Sequence, residues 1–166
     1  MRWTVSGRYI PEEIDRAKVR TTIHYRFHPR IQIGLEWNPL ADEFSPLANI
    51  HLLSESKFTP AVIFNTSTDR IGTPDGQSYT LTFSKDLQSQ LGWPVAPYVG
   101  VAYGTYEDKF RMIGGLYMRY NSSWSSTVLF DGVKVHPLLT YSYQQHSLSL
   151  LLVSMKRVGV SYSLLF

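Results

Sequence analysis

Apolar positions along this chain recur every second residue, the period of a β-strand with one face hidden from water. In Val19-Arg20-Thr21-Thr22-Ile23-His24-Tyr25-Arg26-Phe27 the odd positions are apolar or Thr and the even ones are Arg, Thr and His. The same split continues in Ile31-Gln32-Ile33-Gly34-Leu35-Glu36-Trp37-Asn38 after the break His28-Pro29-Arg30, so the two runs predict a hairpin. Farther on, Tyr79, Leu81 and Phe83 alternate with Thr80, Thr82 and Ser84, and Val99, Val101 and Tyr103 with Gly100, Ala102 and Gly104. Phe110 to Tyr120 sets Met112, Leu116, Met118 and Tyr120 against Arg111, Tyr117 and Arg119. Val133 to Tyr143 sets Val135, Leu139, Tyr141 and Tyr143 against Lys134, His136, Thr140 and Ser142. Arg157 to Phe166 closes the series.

Weaker alternation runs through Trp3 to Ile10, Leu47 to Leu53, Phe58 to Phe64, Trp124 to Phe130 and Ser147 to Val153. Together these segments predict an all-β chain of about twelve strands, or about ten if two of the weak ones are loops; single-chain bacterial barrels use even numbers. Breaks carry turn chemistry at Pro11, Asn38-Pro39, Pro74-Asp75-Gly76 and Asp131-Gly132. If the strands run up and down, the connections on one side are Pro11–Lys18, Asn38–Pro46, Asn65–Gln77, Glu107–Lys109, Asp131–Gly132 and Ser154–Lys156. On the other side Asp86–Pro97 is a long turn, expected to cover the barrel interior or to meet a partner.

Composition turns this pattern toward a membrane. Charged residues are 17% of the 166, against roughly 25% in an average soluble domain, while aromatics reach 14%. The length suits one domain over residues 1–166. A net charge of +3 from scattered cations leaves no nucleic-acid footprint, and the absence of cysteine removes disulfides, thiolate metal sites and cysteine nucleophiles. No run approaches the roughly 18 apolar residues of a spanning helix, so only a closed barrel could cross a bilayer. The apolar faces of the strong strands hold no charge, and several of the opposite faces are small and neutral. Aromatics gather near strand ends, at Trp3, Phe27, Trp37, Phe83, Trp93, Tyr106, Trp124, Tyr143 and Phe166, where interfacial girdles would lie. The prediction is an antiparallel up-and-down transmembrane β-barrel. Met1-Arg2-Trp3 leads straight into strand pattern with no signal-peptide features, which fits a mature form or a designed chain.

The final residues, Val158, Val160, Tyr162, Leu164 and Phe166 alternating with Gly159, Ser161 and Ser163, resemble the C-terminal β-signal of bacterial outer-membrane β-barrel proteins. Leu164 departs from that pattern, which commonly has Tyr third from the end. The resemblance implies insertion by the barrel-assembly machinery and a setting of outer-membrane lipid or lipopolysaccharide, with detergent as the laboratory substitute.

With the greasy set facing lipid, the alternate set lines a lumen: Arg20, His24, Arg26, Glu36, Arg111, Arg119, Lys134 and His136. The excess of cations would favour small anionic solutes, because low-dielectric walls focus the potential. The function expected is a narrow passive channel with weak anion preference or a structural barrel. Equally open is a packed interior in which Glu36 pairs with Arg20, Arg26 or Arg119. No residue pattern points to a metal, a cofactor or a phosphate loop, and no His precedes a same-face Ser by two positions, so catalysis is not expected. Alternatives are a soluble lipocalin-like carrier with the apolar set turned inward, a lipid-modifying membrane enzyme using His136 or His146, and a designed barrel without biological function.

Overall fold

The computed structural model describes residues 2–166. It is a closed antiparallel up-and-down barrel of twelve strands, each paired with the next in sequence and β1 paired with β12. The strands are β1 (Trp3–Tyr9), β2 (Val19–His28), β3 (Ile31–Asn38), β4 (Glu43–Leu53), β5 (Ala61–Thr68), β6 (Gln77–Ser84), β7 (Val95–Gly104), β8 (Lys109–Arg119), β9 (Trp124–Phe130), β10 (Val135–Tyr143), β11 (His146–Val153) and β12 (Arg157–Leu165). Short helices α1 (Asp15–Lys18) and α2 (Gln88–Leu91) lie in two of the connections. Closure removes the unpaired edges an open sheet would present.

Register follows the hydrophobic pattern, since a slip of one residue would send every apolar side chain to the wrong face. Val5 pairs with Ile23, Ile23 with Leu35, Leu81 with Val101, Leu139 with Leu150 and Leu150 with Val160. These residues are turned outward, where Leu81, Val101, Leu139 and Val160 remain exposed. Followed round the barrel, the outward positions of all twelve strands carry no Asp, Glu, Lys or Arg. Aromatic rings pair across neighbouring strands near both rims: Trp37 with Phe44 and Tyr103 with Phe110 at one, Trp3 with Tyr25 and Trp124 with Tyr141 at the other.

The two rims differ. One, here the cap end, carries the connections 10–18, 39–42, 69–76, 105–108, 131–134 and 154–156; the other, the terminal end, carries both chain ends and the remaining turns. The small buried apolar core lies inside the cap end, where Ile10, Leu151 and Val153 pack with Ile71 and Leu138. Ile71 comes from 69–76, so that connection folds into the barrel mouth.

Several sequence-based boundaries are corrected. β4 begins at Glu43, three residues before the predicted end of the Asn38–Pro46 connection, and β5 spans Ala61–Thr68 instead of Phe58–Phe64. The polar run Asn65-Thr66-Ser67-Thr68 pairs with β6 and is strand, because its alternate members face a polar lumen. Lys134 lies in the turn before β10, exposed, and so is not on a strand face. The long turn expected at Asp86–Pro97 ends before Val95, since Val95, Ala96 and Pro97 pair with β8, and it packs against the neighbouring 54–60 turn: Lys85 bridges Glu55 at 3.2 Å and the Asp86 N–H donates to Glu55 at 3.1 Å.

Candidate functional site

Inside the cap end the barrel encloses a chamber of about 430 Å³. Its walls are unlike each other. One side is built by Arg8 on β1, Arg20 on β2 and Glu36 on β3, with Arg16 and Ala17 of α1 above them. The far side is Ile113, Leu129 and Leu138 on β8 to β10, and Leu151 on β11 joins it to the Ile10 cluster beside β1. In a ring of twelve strands β2 and β8 stand opposite each other, so the arginines of β1 and β2 face an aliphatic patch that is edged toward the mouth by Lys109, Arg111 and His136.

Glu36 organises the cationic wall. It is 1% exposed and accepts hydrogen bonds from Arg20, from Asn38 at 3.1 Å and from Thr68 at 2.7 Å. A buried carboxylate with that many donors is satisfied as an anion. The partner of Glu36 is therefore Arg20, among the candidates Arg20, Arg26 and Arg119.

The roof is held by Arg16, 5% exposed, whose guanidinium reaches the first residue of β4 and the 69–76 connection at once. Its Nε donates to Glu43 Oε2 at 2.6 Å; Nη1 donates to Thr73 Oγ1 at 2.9 Å and to the Asp75 carbonyl at 3.0 Å; Nη2 donates to the Gly76 carbonyl. Gly76 has φ +98, a left-handed conformation open to glycine. Gly104 is required for another reason: a Cβ there would meet Asp69 Oδ2 at 2.5 Å, so its absence lets the 69–76 segment seat against β7.

Across the cap end from this wall, most charges are paired. Glu107 bridges Arg70 at 3.0 Å and also accepts from Arg111. The hydrogen bond from Arg111, then that from Arg70, holds its carboxyl below the usual range. His136, 3% exposed, accepts the Ser154 N–H at Nδ1 at 3.1 Å, which places the proton on Nε2 to donate to Asp131 at 2.9 Å. Burial would raise the Asp131 carboxyl, but the His136 bond and the N–H groups of Lys134 and Val133 overcome it and the carboxyl is lowered.

Of the residues singled out from sequence, Arg20, Glu36, Arg111 and His136 meet around this chamber. His24 sits lower on β2, while Arg26 and Arg119 are exposed at the terminal end and Lys134 is in its turn. His146 contacts the Tyr162 hydroxyl at 2.6 Å. Val158, Val160, Tyr162 and Leu164 occupy outward positions on β12, and Phe166 follows them, with its N–H bonded to the Trp3 carbonyl at 3.0 Å.

Sequence reasoning missed Arg8, Arg16 and Arg70. Arg8 was within reach, because it alternates with Val5, Gly7 and Tyr9 in a weak strand. Arg16 and Arg70 lie in connections, where periodicity says nothing about direction. No protein-family model matches the chain, and no curated protein matches it.

Proposed function

We propose that the protein is an integral barrel of the bacterial outer membrane whose lumen is a narrow, capped passage for small anionic solutes. The observation that carries this reading is the uncharged outer wall of the twelve strands, set with exposed Leu, Ile, Val and aromatic side chains. Apolar surface on that scale is not left to water, and a band of lipid-facing residues between aromatic rims is how membrane barrels meet hydrocarbon. A lipocalin-like carrier would turn the apolar set inward, so the outward direction favours lipid. The terminal Phe166 and its alternating predecessors suit recognition by the barrel-assembly machinery, and the cap end then faces outward from the cell, where lipopolysaccharide surrounds it.

Anion preference rests on the inward charges of the strands. Glu36 and Glu43 stand against Arg8, Arg20, Arg26, Lys109, Arg111, Arg119 and Arg157. Glu36 takes Arg20, the loop carboxylates Glu107 and Glu13 take Arg111 and Arg157, and Glu43 is held by Arg16 of α1, which leaves a positive excess that would concentrate anions.

Planar-bilayer recording of the refolded chain tests both halves. The expected result is a small conductance whose reversal potential in a salt gradient reports anion preference, reduced in Arg119→Gln. Preference for cations would overturn the anion reading. The Arg16 roof favours a second reading, a barrel closed at rest, for which Arg16→Ala conducts and the wild type does not. Silence from both proteins would remove the passage, and monodisperse behaviour in detergent-free buffer would remove the membrane.

A further inference from the structure

We propose that the chamber is a binding site for a small organic monoanion with an apolar body, of the medium-chain carboxylate class, with its head on Arg8 and its body against the aliphatic far wall. The inference goes beyond passage of ions and does not depend on it, since the chamber belongs to the folded barrel whether or not anything crosses.

Arg8 differs from the other arginines of the chamber. Arg16 has Glu43, Arg20 has Glu36, and Arg70 and Arg111 share Glu107. Among the described residues no carboxylate and no hydrogen-bond acceptor reaches the Arg8 guanidinium, and its Nε is buried without a partner. A desolvated cation beside a second arginine is unfavourable unless an anion joins it. Lys109 is also unpaired, but it is exposed at the rim, where water serves.

Register makes the surroundings of Arg8 a row of donors. Ser161 on β12 and Arg20 on β2 are its direct cross-strand neighbours, and Ser149 lies beyond Ser161. A carboxylate laid on Arg8 would meet the Ser161 hydroxyl on one side and the Nη1 end of Arg20 on the other, since Glu36 engages Arg20 through Nη2 alone. Charge-assisted bonds of this kind are the strong ones.

The far wall decides the rest of the ligand. Arg111 is turned to Glu107, which leaves Ile113, Leu129 and Leu138 as the surface facing the donors. A bare halide or acetate would leave that surface wet, whereas a chain of several methylenes would cover it and take its own apolar surface out of water. The volume, about 430 Å³, lies within the range of small-molecule sites and exceeds what one inorganic ion needs.

The experiment is calorimetric titration of the full chain, refolded in neutral-detergent micelles, with sodium hexanoate, and with sodium acetate, hexanol and hexylammonium chloride as comparisons. Saturable hexanoate binding is expected, with acetate, hexanol and hexylammonium each at least about tenfold weaker. Arg8→Gln should weaken hexanoate at least about tenfold, Arg8→Lys should restore part of it, and Ile113→Thr should weaken hexanoate but not acetate. Partition into micelles is unsaturable and identical in the variants, so it does not imitate the site. Heat-modifiable gel migration checks folding, and if Arg8→Gln fails to fold, Ser161→Ala, expected to weaken hexanoate about threefold, replaces it. Absence of saturable binding, hexanoate affinity indifferent to these substitutions, or acetate binding as tightly as hexanoate would each overturn the proposal. Binding without bilayer conductance overturns the passage alone, and conductance without binding overturns this site alone.

Discussion

The cap-end and terminal-end halves of the lumen are built by the same strands with the same inward parity, yet they satisfy their polar groups in different ways. In the terminal half the charged inward residues Arg26 and Arg119 are exposed, and hydroxyls serve one another across the sheet: Ser142 with Ser147 at 3.0 Å and Ser6 with Ser163 at 2.9 Å. In the cap half the inward charges are arginines and carboxylates, and connections fold inward to complete them, with Arg16 and Arg70 supplied from outside the strands. A hydroxyl ladder needs only its neighbour in register. A wall of buried charge needs partners that a regular sheet does not offer, and these come from loops. The difference teaches that polarity alone does not close a barrel mouth; unmatched charge recruits the segments that do.

The largest break in this comparison should come at Glu36. Glu36→Ala strips Arg20 of its carboxylate while leaving it beside Arg8, and removing one member of a buried pair costs about 3–5 kcal/mol. Ser147→Ala in the other half removes one hydroxyl of a ladder and should cost about 1 kcal/mol or less. Urea unfolding of both variants in lipid vesicles measures the contrast. Equal losses would mean that the two halves are not energetically distinct.

These two sites also mark what could be read before the structure. The twelve strands and their inward and outward sets follow from period two, because in a closed barrel that period alone assigns faces; Arg20, His24, Glu36 and His136 lie at inward positions by this rule. The rule weakens where both faces are polar, as in Asn65-Thr66-Ser67-Thr68, which reads as loop although it pairs with β6. It has no bearing on connections. Arg16 becomes part of the chamber only because α1 lies over the mouth and the Thr73, Asp75 and Gly76 carbonyl and hydroxyl groups converge on it, an arrangement of residues about sixty positions apart that no local pattern announces.

Arg16 sharpens the comparison next. Arg16→Ala leaves the barrel wall intact but takes from the 69–76 segment several charge-assisted bonds, so its effect is a local opening and not global unfolding. A loss of about 3 kcal/mol corresponds to roughly a hundredfold faster amide exchange across 69–76. Turns at the terminal end, such as 144–145, should exchange as in the wild type. Hydrogen exchange read by mass spectrometry separates the outcomes, and acceleration at both ends would show that the roof supports the whole barrel instead of its own mouth.

The smallest effect concerns Asp131, which ties the 131–134 turn to His136. Its carboxyl is lowered from 3.8 in spite of burial, because His136 and two backbone N–H groups bond the charged form. A group depressed in the folded state adds stability that is complete above its unfolded value and disappears as pH falls through the folded one. The stability difference between wild type and Asp131→Asn should therefore be constant from neutral pH down to about 4, then shrink with further acid. Its size should stay below about 1 kcal/mol, since water reaches part of the pair. The hydroxyl ladder of the terminal half has no titrating member in this range, so Ser147→Ala measured beside it should show no such decline. A difference that grew in acid, or one shared by the serine variant, would detach the lowered carboxyl from the stability of the cap end.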